Sequence, residues 1–120
     1  VTTTQTWLDG LDPAAGAALA HVLDLGRELV PEAVDGMSYG LHALVLDGKA
    51  LLGVGAGVRH LSVVPYSPTA LDTVRDALTG HDVTKGLVRF TAERPIDDEV
   101  LTRLVLARLA EIRPGDPTGT

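Results

Sequence analysis

Asp47-Gly48 stands between two apolar runs, Leu41 to Leu46 and Ala50 to Ala56, and constrains the fold more than any other part of the chain. A two-residue type I′ turn needs positive φ at both central positions, which Asp and Gly tolerate, and its twist matches that of the strands it joins. The pair therefore predicts an antiparallel hairpin. A third strand is predicted over His60 to Val64, where Leu61 and Val63 alternate with His60 and Ser62. Such alternation fits a sheet covered on one face and partly open on the other.

The helices announce themselves by their starts. Asp12 is placed to cap and Pro13 to occupy the first helical position, where a missing N–H costs nothing. That helix is predicted over residues 13 to 30, with Ala15, Leu19, Val22, Leu23, Gly26, Leu29 and Val30 on its buried face and His21, Asp24 and Glu28 opposite. Pro31 ends it, and a loop leads to Met37-Ser38-Tyr39-Gly40. Ser67-Pro68 repeats the starting chemistry and predicts a helix to about Leu78, followed by Gly80. Gly86 to Phe90 reads as a strand, with Val88 and Phe90 facing one way and Leu87 and Arg89 the other, and Asp97 opens a last helix to about Ile112. This order of helix, three strands, helix, one or two strands and helix predicts a two-layer α+β domain. Its sheet is mainly antiparallel, of four to five strands, with the helices on one face.

Composition narrows the function. A chain of 120 residues is expected to form one domain, here residues 1–112, with 113–120 as a disordered tail holding two prolines and two glycines. Without cysteine there is no disulfide, thiolate metal site or thiol nucleophile. A net charge of −6, from 16 acidic and 10 basic residues, disfavours a nucleic-acid binder and suits a cationic or metal-bearing partner. No apolar run reaches the roughly 18 residues a membrane span requires. Val1 to Gly10 has neither a basic flank nor an apolar segment, so a cytoplasmic protein is expected. Gly53, Gly55 and Gly57 lie in and after a strand with no helix following, which is not the context of a phosphate-binding loop.

If the strands share one sheet, His60, Ser62 and Arg89 turn to its open side, Lys85 adds a cation and Tyr39 stands at the edge. Such a patch suits the carboxylate or phosphate of a ligand, or an acidic segment of a partner. Alternatively Lys85 and Arg89 pair with nearby acids such as Asp82 and Glu93. Arg108 falls among Leu101, Leu104, Val105 and Ile112 on the last helix, so it must either reach water along its stem or bond buried acceptors. Leu106, on the opposite face, suggests a weak homodimer.

The order Tyr39-Gly40, a hairpin, His60-x-Ser62 with Pro65, Lys85-Gly86-x-x-Arg89-Phe90 and Leu104-Val105-x-x-Arg108-Leu109 resembles the YdhG-like family over roughly Trp7 to Ile112. These are small bacterial domains, mostly without assigned function, similar in fold to frataxin and YjbR-type proteins. Where the family tends to carry Met-Pro and an aromatic after Tyr-Gly, this chain has Leu41-His42-Ala43-Leu44. The resemblance implies a non-enzymatic binding protein, a frataxin-like iron carrier that supplies an iron–sulfur or haem assembly partner. The ridge corresponding to the frataxin iron site would be His21, Asp24, Glu28, Glu32 and Asp35. Carboxylate and imidazole suit iron, and His21, Asp24 and Glu28 share one helix face, where they would bind it weakly. The same stripe is also what an ordinary solvated helix face looks like, and Arg27 adjoins it. The alternatives are a module that binds a small anion or acidic partner on the open sheet face, and an uncharacterised enzyme drawing on Ser38, Ser62, His42 and His60. No catalytic motif surrounds those serines and histidines.

Overall fold

Antiparallel pairing builds the whole sheet. The computed structural model describes residues 3–114. Along the chain run α1 (Thr4–Asp9), α2 (Pro13–Leu29), β1 (Val34–Ser38), β2 (Leu41–Leu46), β3 (Lys49–Ala56), β4 (Leu61–Val64), α3 (Pro68–Asp72), β5 (Asp82–Val83), β6 (Val88–Phe90) and α4 (Asp98–Ile112). The six strands lie in the order β1-β2-β3-β4-β6-β5, every pair antiparallel. The fold is the expected two-layer α+β arrangement, with two strands at the sheet's margins that the sequence did not reveal in full.

Asp47 at φ 54° and Gly48 at φ 77° form the predicted turn, and Tyr39 at φ 51° and Gly40 at φ 77° form a second one of the same kind between β1 and β2. The segment before Met37 was expected to be loop. It pairs instead with β2, with Gly36 opposite Ala43, and becomes an edge strand. In β2–β3 the register shifts between Leu44 and Val45, leaving Leu51 as an extra residue. Leu51 and Leu52 are both fully buried as a result.

Helices cover one face. Leu19, Val22 and Leu23 of α2 and Leu101, Leu104 and Val105 of α4 pack with Leu44, Leu52, Val54, Val63 and Val88 of the sheet into one core. Asp12 accepts from the Ala15 N–H, and Ser67 from the Ala70 N–H, as their sequence contexts predict. Asp97 precedes α4 but makes no side-chain cap bond. The helix predicted to reach Leu78 stops at Asp72 and continues as a 3-10 turn over Arg75–Leu78, because Val74, at φ −120°, leaves helical geometry.

Arg108 takes the second of its two expected roles. Its Nε donates to the Ala50 carbonyl at 3.0 Å and its Nη1 to Glu111 at 3.4 Å, which ties α4 to β3. Arg113 lies within the stretch expected to be disordered, yet it donates to Asp47 and to Glu32, each at 2.8 Å. Its guanidinium holds the Asp47 carboxyl below the usual carboxylate range. Residues 115–120 lie outside the described part. No helix among the described residues is long and apolar enough to cross a membrane.

Gly26 lets α2 lie close against the sheet: a Cβ there would stand 2.6 Å from Leu44 Cδ1 and 3.4 Å from Leu52 Cδ2. Gly-to-Ala in an exposed helix gains about 1 kcal/mol, but overpacking a core costs about 1–3 kcal/mol. Leu44 and Leu52 are both fully buried, so their methyl ends would have to repack within the core, and Gly26→Ala is expected to lower stability, read as a lower denaturation midpoint at unchanged slope. A higher midpoint would show the helix standing further from the sheet.

Candidate functional site

The open sheet face is built by alternation. Leu61 and Val63 of β4 and Val88 and Phe90 of β6 are buried toward the helices, so the residues between them turn away. Ser62 pairs directly with Arg89 across β4 and β6, and Arg89 pairs in turn with Asp82 of β5. Arg89 Nη1 donates to Asp82 at 2.8 Å, the pairing weighed from sequence.

Where β4 begins and β6 ends, these strands frame a cleft of about 220 Å³ lined by His60, Gly80, His81, Asp82, Arg89, Phe90, Thr91 and Arg94. Arg94 is placed by a turn in which its N–H donates to Thr91, to both the carbonyl and the hydroxyl oxygen, each at 3.1 Å. Its Nη2 lies over Gly80, 3.1 Å from where a Cβ would stand. Two arginines and two histidines thus face one acid. Arg89 Nε is shielded from solvent and has no hydrogen-bond partner, alone among the buried side-chain polar atoms of the described residues. A buried donor left unmade costs about 1–3 kcal/mol. Charged donors on a planar guanidinium can take two oxygens of one carboxylate or phosphate.

Three of the five open-face residues predicted from sequence meet here or beside it: His60 and Arg89 line the cleft, and Ser62 is Arg89's strand partner. Lys85 is exposed in the turn before β6, toward the opposite end of that strand, and Tyr39 sits in the β1–β2 turn, with β3 and β4 between it and the cleft. Tyr39 is 93% exposed, and its ring faces that of Tyr66 with centroids 6.2 Å apart. His81 and Arg94 were not singled out by sequence. They lie in irregular segments without periodicity, and only the strand pairing shows that they converge on Arg89.

The first-helix stripe has a different geometry. His21 Nε2 is 2.7 Å from Asp98 of α4, Asp24 accepts from Arg27 at 2.9 Å, and Arg27 also reaches Asp35 at 2.7 Å. Glu28 is exposed. Among the described residues no three His, Asp or Glu side chains converge as a metal site would require. His42 faces the helices: it is only 8% exposed, lies 3.1 Å from the Thr4 hydroxyl and stacks on Trp7 with ring centroids 4.5 Å apart. The sheet separates it from Ser62, so the two cannot act as base and nucleophile. Leu106 is exposed on α4, at 45%.

Tyr66 closes the middle of the open face. Its ring lies over Gly53, where any Cβ would collide with the phenol, and its hydroxyl donates to the Ser38 carbonyl at 3.1 Å. Burial raises the phenol above its ordinary value. Stability from the neutral phenol is therefore fully present below pH about 10 and lost as pH rises through the raised folded value. Tyr66→Phe is expected to cost about 0.5–1.5 kcal/mol near neutrality, the net worth of one hydrogen bond, and to remove that alkaline component from a pH series of denaturation midpoints. An unchanged series would detach the hydroxyl from β1.

No protein-family model matches the chain, and no curated protein matches it in sequence. Among solved structures, the crystal structure of YdhG, a DUF1801-family protein from Bacillus subtilis, is similar with a TM-score of 0.80 at 20% identity, covering 92% of this chain and 90% of that one. The chain therefore has the fold of that protein over nearly all of its length.

Proposed function

We propose that this is a YdhG-like domain that works as a binding module, and that its sheet-end cleft recognises an anionic group, the carboxylate or phosphate of a ligand or of an acidic partner segment. One observation carries the reading: Arg89, Arg94, His60 and His81 converge on a small cleft whose single acid is Asp82, in a protein whose net charge is −6. A cationic pocket on an acidic surface attracts an anion only at close range, which makes recognition local rather than a property of the whole field. Iron carriage, which the resemblance to frataxin-like proteins implies, has no comparable constellation behind it among the described residues, because His21 and Asp24 already face other partners.

Asp82 sets the strength of the site. It is largely exposed, as a 67% side-chain exposure shows, and such pairs are worth about 0–1 kcal/mol, so an incoming anion can compete for Arg89. Calorimetry with inorganic phosphate, pyrophosphate, acetate and citrate tests the reading. Arg89→Ala and Arg94→Ala are each expected to weaken binding by about 1.5–3 kcal/mol, the worth of a charge-assisted bond, with the fold retained. Asp82→Asn is expected to strengthen it. Absence of binding by all four anions, or indifference to both arginines, would contradict the proposal.

A further inference from the structure

A second pocket adjoins the first. It has a volume of about 310 Å³ and shares His60 and Thr91 with the cationic cleft, so the two meet along those residues at one end of the sheet. Its walls differ in kind. Leu11, Ala14, Ala15, Ala56, Val58 and Ala92 supply apolar surface, brought together from the α1–α2 junction, the start of α2, the end of β3 and the segment after β6. Arg59 is its one arginine, set against the carboxylates of Asp12 and Glu93.

These acids decide which part of a ligand goes where. The start of α2 would otherwise attract an anion, but Asp12 already accepts from the Ala15 N–H there and places a carboxylate at the pocket wall. An anionic head is therefore driven toward Arg89 and Arg94, while alanine, leucine and valine surfaces offer an apolar body something to displace water from. Size points the same way. The cationic cleft alone, at about 220 Å³, falls below the ~300–1,000 Å³ of small-molecule sites, and the adjoining pocket brings the whole within that range.

We propose that the ligand of this site is a small organic anion with an apolar body, a carboxylate or phosphate head in the arginine cleft and a compact hydrocarbon or aromatic portion across Thr91 in the alanine-lined pocket. This rests on the reading of the cleft as an anion site and adds the ligand's second half. Two matched pairs of probes separate the claims on the intact protein: phenyl phosphate against inorganic phosphate, and benzoate against acetate. The aromatic member of at least one pair is expected to bind tenfold or more tightly than its bare head. Ala14→Gln, an exposed position where glutamine keeps the helix, extends a polar side chain into the second pocket. It is expected to erase that advantage while leaving the bare head's affinity unchanged. Val58→Ser, at a fully exposed loop residue, is expected to reduce the advantage by a smaller factor. If bare heads bind and the aromatic members bind no better, or if Ala14→Gln weakens head and aromatic probe alike, the two-part ligand is overturned and the anion site stands. If no member of either pair binds, both fail together.

Discussion

The pairing of β4 with β6 is the interaction on which the rest depends. No tight turn joins these strands, since α3, the 3-10 turn and β5 intervene, so nothing local dictates their register. Apolar alternation dictates it instead. Leu61 lies opposite Phe90 and Val63 opposite Val88, and all four are buried against the helices. A slip of β6 by one residue would turn Val88 and Phe90 to water and bring Arg89 into the core. The same burial that stabilises the sheet thus presents Ser62 and Arg89 on its far side.

Around that pairing, the two sheet faces divide the labour. The helix-covered face holds a core of leucine and valine, with His42 satisfied by Thr4 and stacked on Trp7. On the open face, Tyr66 spans Gly53 to reach β1, and the polar groups gather at the sheet end where β4 begins and β6 finishes. Arg108 and Arg113 act elsewhere, tying α4 to β3 and to the Asp47 turn. The arginines thus separate by context, some fastening elements together and others, Arg89 and Arg94, lining a cleft.

Sequence disclosed the parts of this fold that local chemistry determines. Asp47-Gly48, Asp12-Pro13 and Ser67-Pro68 each marked a turn or helix start that the structure contains. β1 escaped because an edge strand needs pairing on one side alone, and Val-Asp-Gly-Met-Ser lacks both alternation and β-branched density. The Ser38-Tyr39-Gly40 turn stood out through the family resemblance and not as a hairpin signal, since Tyr39 occupies a positive-φ position where Asn, Asp or Gly is the usual signal. β5, only two residues long, exists through its neighbour β6. At the site, His60, Ser62 and Arg89 were legible from alternation along strands, whereas His81 and Arg94 come from a loop and a turn whose positions follow from tertiary structure. Lys85 and Tyr39 were placed with them from the shared sheet alone. Strand direction puts Lys85 beyond the far end of β6, and strand order puts Tyr39 across β3 and β4 from the cleft.

Whether an anion binds at this sheet end is read by amide and side-chain NMR of the isotopically labelled protein under a phosphate and acetate titration. Saturable shifts are expected, centred on His60, His81, Arg89, Thr91 and Arg94, with the α2 surface around Asp24 and Glu28 unmoved. Shifts centred on that α2 surface, or shifts scattered without saturation over the whole protein, would contradict an anion site there.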